Sequence, residues 1–140
     1  MRYLFVAGAL PFLILGILHI IYTFSDAERP RRIAPRDPML VEQMRASTLF
    51  LTRQTTVWRA WIGFNLSHGL GIVVFAGLLI HGAALHFDAV RSAAPELLIA
   101  APVVASLYFL MSLRYWFRIP AIGSGLGAAL LLAGAVLTVV

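Results

Sequence analysis

Apolar residues in this chain dominate four long runs, at about 3–24, 57–84, 97–113 and 119–140, with most charged residues in the segments between them. A helix needs about 20 apolar residues to cross the hydrocarbon core of a bilayer. Only helices and closed barrels satisfy their backbone groups in lipid, and the runs lack the alternation of barrel strands. The pattern predicts an all-α protein, a bundle of four transmembrane helices forming one integral membrane domain over residues 1–140. Pro11 falls inside the first run and predicts a kink there.

The longest polar interval follows the first run. Residues 25–37 are charged and proline-containing and read as a loop. Asp37-Pro38 is a helix-start signal, an N-cap followed by proline at the first helical position. From 38 to 56 the pattern turns amphipathic: Glu42, Arg45, Thr52, Arg53 and Thr56 share one side of a helical wheel, and Met39, Leu40, Met44, Phe50 and Leu51 lie largely on the other. This predicts an amphipathic cytoplasmic helical segment on the membrane surface or continuous with the second span.

Composition narrows the picture. The chain has 140 residues, 61% of them hydrophobic, which leaves no room for a separate soluble domain. It has no cysteine, so disulfides, thiolate metal sites and cysteine nucleophiles are excluded. The formal charge of +5 comes from arginine alone. Because these arginines flank apolar spans, they point to lipid headgroups and membrane topology rather than nucleic acid. Arg29, Arg31, Arg32, Arg36, Arg45, Arg53 and Arg59 follow the first run, and Arg114 and Arg118 follow the third. The other side has Arg2 and Arg91. The positive-inside rule predicts a multi-pass inner-membrane protein with both termini outside and residues 25–56 in the cytoplasm. The first run, longer than a usual signal sequence and without a small-x-small cleavage site, reads as an uncleaved helix.

Candidate chemistry concentrates in the second run. Trp58, Trp61, Asn65 and His68 fall within about 80° of one helical face, taking 100° per residue. At 1.5 Å per residue, Asn65 lies about 12 Å and His68 about 16 Å into the membrane. His19, followed on its face by Tyr22, lies about 7 Å from the cytoplasmic end of the first run, and Tyr108, Ser112 and Tyr115 share a face of the third. Converging faces would form a polar intramembrane pocket lined by His19, Trp61, Asn65, His68, Tyr108 and Ser112. Ionisable residues in the membrane usually face an interior or a cavity. The alternative remains open that these groups are glue between helices, contributing about 0.6 kcal/mol each. No run contains an interior carboxylate, and no nucleophile-elbow, zinc-protease or phosphate-loop motif is present. His81 and His86 make a poor metal pair, and no metal site is predicted. The small residues Gly123, Ser124, Gly127, Ala128 and Gly134 of the fourth run predict close helix approach and a homo-oligomer.

The stretches GFNLSHG at 63–69 and RYWFRIP at 114–120 resemble small bacterial four-helix membrane proteins of unassigned function. The chain is also similar in architecture to styrene oxide isomerase, whose second helix has a tryptophan followed ten residues later by asparagine and then glycine. Here Trp58 is followed by His68 and Gly69. The resemblance implies that Tyr108 matches a pocket tyrosine of the third helix, and it raises haem b as a cofactor. The family's haem-ligating histidine is replaced by Ile62, which would pass ligation to His68 or His19. Bis-histidine ligation meets an estimated height difference of about 9 Å between them. The leading functional reading is binding of a small hydrophobic molecule in the intramembrane pocket, with isomerisation as a candidate reaction. His68 would be ligand or general acid/base, Asn65 and Tyr108 would orient a substrate oxygen, and Trp61, Tyr22 and Ser112 would contact substrate. The alternative is a non-catalytic accessory subunit of a larger membrane complex.

Overall fold

The structure, a computed structural model, describes residues 1–139. Its elements are helical: α1 (Arg2–Glu28), α2 (Pro38–Ala46), α3 (Val57–Leu85), α4 (Phe87–Ala93), α5 (Glu96–Tyr115) and α6 (Arg118–Val139). Four of them, α1, α3, α5 and α6, are long and apolar enough to cross a membrane. These are the four runs of the sequence. The predicted end of the fourth run at Val140 lies outside the described residues. Helix α1 continues through Pro11, and α5 likewise contains Pro102, which is buried.

The contacts divide into two compact units, Met1–Leu15 with the chain from Ile72 onward, and Gly16–Gly71. In the first unit, the stripe Phe5, Ala9 and Phe12 of α1 is buried, as are Ile72 and Ala76 of α3, Ala105 of α5 and Leu131 of α6. Phe12 is locked by edge-on contacts with Phe75 (centroids 5.5 Å) and Tyr108 (6.0 Å). Helices α1 and α6 approach closely at Gly8 and Gly127. A Cβ built on Gly127 would stand 2.5 Å from Phe12 Cε2 and 2.7 Å from the Gly8 carbonyl oxygen. Only glycine lets the backbones approach this far. A Cβ on Gly123 would meet Leu15 at 2.7 Å, and one on Gly134 would meet Phe5 at 2.9 Å. The small-residue face of α6 is therefore filled by neighbours within the same chain. The homo-oligomer expectation loses the surplus of small residues on which it stood.

In the second unit, α1 runs one turn further than the apolar run suggested, to Glu28 rather than residue 24. Buried Asp26 supports this extension. Its Oδ2 accepts the backbone N–H groups of Arg32 (2.8 Å), Ile33 (2.7 Å) and Ala34 (3.0 Å), folding the loop back onto the helix end. Charge-assisted bonds of this kind are about twice as strong as neutral ones. Asp37 caps α2 as expected, accepting from Met39 N (2.9 Å), with proline at the first helical turn.

The amphipathic helix predicted over 38–56 is corrected. Helix α2 stops at Ala46, and Ser47 is extended. Residues 47–56 form a closed loop, held by the antiparallel bridge Thr48↔Thr56 and by Val57 N donating to Ser47 O (2.9 Å). The physical reason is local: hydroxyl side chains compete for backbone groups and disfavour helix interiors. Thr52 Oγ1 accepts from Gln54 N, and Thr56 Oγ1 from Arg59 N at the start of α3. Phe50 and Leu51 project from the loop fully exposed. The short helix α4 was not anticipated. Its buried Phe87 packs on Phe5, centroids 5.9 Å apart, in the first unit.

Candidate functional site

The polar cluster in the second unit begins with Asn65, which is 2% exposed. Its Nδ2 donates to the carbonyl of Trp61 one turn earlier (2.8 Å). A carbonyl only accepts, so this bond orients the amide and leaves Oδ1 facing His19. His19 Nε2 lies 3.0 Å from that oxygen and must be the donor. One chain of bonds thus sets the tautomer of His19 at Nε2–H. The same residue is anchored through its backbone, its carbonyl accepting from Thr23 Oγ1 (2.7 Å).

His68 stands one turn beyond Asn65 on α3. Its ring meets the His19 ring edge to face, with centroids 5.3 Å apart and planes at 78°, and it stacks near-parallel with Phe64 at 6.2 Å. Gly69 makes this meeting possible. A Cβ there would stand 2.7 Å from Ile20 Cγ1 and 3.4 Å from both the Gly16 oxygen and His19 Cδ2. The Gly16–Gly69 approach brings α1 and α3 close enough for a histidine on one to bond an asparagine on the other.

The expected height difference between the two histidines is corrected. Measured from Glu28, the true end of α1, His19 lies about 14 Å along the helix, against about 16 Å for His68 from Val57. The extra helical turn closed by Asp26 removes most of the 9 Å offset. The contact also decides the bis-histidine haem arrangement. Its two ligands occupy opposite sides of one iron. Rings in direct edge-to-face contact leave no room for a macrocycle between them, so His19 and His68 do not fit as a ligand pair. Among the described residues there is no group of three or more His, Cys, Asp or Glu placed to hold a metal ion.

The other residues singled out from sequence have separate partners. Trp61 enters the cluster through its carbonyl, while its side chain is partly exposed. Tyr22 lies beneath Arg32, whose guanidinium carbon is 4.3 Å from the ring centroid. Trp58 is buried and meets Arg45 in the same way at 5.6 Å. Tyr108 and Ser112 belong to the first unit. There Tyr108 packs on Phe12, and buried Ser112 donates to the Tyr108 carbonyl (2.8 Å). Ser124 donates its single proton to the Pro120 carbonyl (2.7 Å), so the two hydroxyls, 3.4 Å apart, meet where α5 packs on α6 while each is bonded within its own helix. His81 and His86 are brought together by the break between α3 and α4, with centroids 5.0 Å apart.

Two features escaped the sequence reading. Asp26 was visible only as a charge at the end of an apolar run, and nothing local announced its burial. A cavity of about 410 Å³ in the first unit is lined by apolar side chains of α1, α3, α4 and α5. Such residues read in sequence as ordinary membrane-helix surface. No protein-family model, no curated protein and no solved structure matches the chain.

Proposed function

We propose that this is a multi-pass membrane protein that binds a small hydrophobic molecule within the bilayer at the His19–Asn65–His68 cluster, and that it isomerises that molecule by proton transfer. One observation carries the reading: a buried asparagine is committed on both sides of its amide, fixing one histidine as a donor against the ring of a second. Polar groups in a membrane helix are costly unless paired or functional. Helix adhesion requires one such bond, whereas the second histidine adds a group able to accept and return a proton. His68 is the proposed acid/base. His19, its Nε2–H committed to Asn65, presents Nδ1 as the proposed acceptor for a proton from the substrate or from His68, and Asn65 positions His19. This differs from direct substrate contact by Asn65, because both ends of its amide are occupied. The similarity to styrene oxide isomerase supports isomerisation as the reaction class.

The arginine distribution supports an orientation with both termini outside and residues 25–56 in the cytoplasm. The proposed site then lies in the cytoplasmic half of the bilayer.

The test compares His68→Ala with Ser67→Ala. Ser67 neighbours His68 in sequence but is exposed and bonds only the Phe64 carbonyl of its own helix. His68→Ala should abolish co-purification of the small molecule, read by mass spectrometry, while leaving thermal stability nearly unchanged. Ser67→Ala should retain both. Equal small losses of stability, with no change in bound molecules, would assign the cluster to helix adhesion and favour a non-catalytic accessory role. A visible absorption spectrum of the purified protein tests haem separately: a Soret band that His68→Ala removes would make His68 a residue that holds haem.

A further inference from the structure

We infer that the apolar cavity of the first unit is a binding groove for one acyl chain of a phospholipid, separate from the site proposed above. The cavity, about 410 Å³, is lined by apolar residues that include Phe75, Leu79, Gly82, Leu98, Ala101 and Val104. A volume of this size is within the range of ligand sites. Its shape selects among apolar occupants. The α3 lining runs from Phe75 to Ala83 and the α5 lining from Leu97 to Val104, so the groove extends roughly 10–12 Å along the helix axes. Membrane-spanning helices and lipid chains both run along the bilayer normal, so a chain can lie in the groove in the direction it already has.

The two ends differ. The Phe75 end is floored by a ring packed edge-on against Phe12. At the other end Phe87 and Val90 of α4 complete the lining, and charged residues follow at once in sequence: Asp88 and Arg91 on α4, and Glu96 at the start of α5. Arg2, one turn before the lining residue Phe5, reaches Asp88 at 3.8 Å, with both side chains largely exposed. Exposed His86 adjoins the same end. A compact apolar molecule gains nothing from a charged end, whereas a phospholipid has its headgroup there. Arg2 and Arg91 suit its phosphate, and the acidic Asp88 and Glu96 make the end close to neutral overall, which suits a zwitterionic headgroup. The groove also opens outward: Leu78 and Leu97 on its edges are 68% and 54% exposed, so a chain can enter sideways from the bilayer.

The test uses the full chain, delipidated in detergent and offered dioleoyl phosphatidylethanolamine, with retention read by native mass spectrometry. The wild type should retain one lipid per chain. Gly82→Leu fills the groove with little strain, because a Cβ at Gly82 meets nothing nearer than Val90 Cγ2 at 3.9 Å. It should weaken retention by about tenfold through loss of the packing contacts of the chain. Ala100→Phe, a second lining position that is itself exposed, should do the same should the first variant fold poorly. Gly77→Leu, at a position with open space around it, should leave retention unchanged. Retention by both groove-filling variants at the wild-type level, or no lipid on the wild type, would overturn the proposal. So would equal retention of free oleic acid, which would remove the role of the headgroup. His68→Ala should not alter the result, so failure here is distinguishable from failure of the proposed function.

Discussion

Replacing Gly127 by alanine adds a single methyl group where α6 packs closely on α1, and the distances there set its cost. The new Cβ would lie 2.5 Å from Phe12 Cε2, 3.0 Å from Phe12 Cδ2 and 2.7 Å from the Gly8 carbonyl oxygen. Real Cβ atoms essentially never approach below 3.0 Å, so something must move. The Phe12 ring cannot swing aside freely, because it is wedged between Phe75 and Tyr108. The Gly8 oxygen is backbone and moves only with α1. The helices must therefore separate, loosening the buried stripe of Phe5, Ala9 and Phe12. Overpacking of this kind costs about 1–3 kcal/mol, and the trapped ring and backbone contact place this site at the upper end. Alanine regains up to about 1 kcal/mol of helix propensity, giving a net loss of about 2 kcal/mol. Gly77→Ala is the matched control, since its Cβ meets nothing within 4 Å and only the propensity gain remains. Unfolding by added SDS in mixed micelles, followed by circular dichroism, should therefore separate the two variants by about 2–3 kcal/mol. If Gly127→Ala proved as stable as Gly77→Ala, the close Gly8–Gly127 crossing would be refuted.

Asp26→Ala should destabilise the protein by about 1–3 kcal/mol, because three N–H groups lose a charged acceptor; limited proteolysis should then cut faster at the arginines of residues 29–36, and an unchanged cleavage rate would deny the loop-anchoring role. Asn65→Leu should release the tautomer of His19, seen by imidazole ¹⁵N NMR as loss of a dominant Nε2–H form, whereas a wild-type spectrum already showing Nδ1–H would contradict the bonding chain. Phe50→Ser together with Leu51→Ser should change thermal stability in detergent by less than about 0.5 kcal/mol, as expected for exposed positions without partners in a core; a larger loss would mean that the 47–56 loop packs more tightly than its exposure indicates. For orientation, single cysteines at Ala34 and Ala93 suffice in this cysteine-free chain: an impermeant maleimide on intact cells should label position 93 and spare 34, and the reverse pattern would invert the topology.

The four long apolar helices were legible in the sequence because the demand that shapes such segments is local. A backbone entering lipid must bond to itself, and a run of about 20 apolar residues meets that demand without reference to any other part of the chain. The Asp37-Pro38 helix start was legible for the same reason, since capping involves neighbours only. The polar face of Trp61, Asn65 and His68 also followed from helical periodicity alone. What these residues touch did not. Whether His19 meets Asn65 depends on the register of α1 against α3, set by the Gly16–Gly69 approach and by a helix end that Asp26 extends through bonds to residues six to eight positions away. The amphipathic reading of 38–56 failed where pattern and propensity disagreed: the apolar stripe continued, but the serine and threonines after Ala46 gave the backbone other partners. The glycines of α6 signalled close packing correctly, yet only the tertiary structure could say that Phe5, Phe12 and Leu15 of the same chain fill the space. Sequence spacing places small residues on a face, whereas the identity of the surface that covers them is a property of three-dimensional assembly.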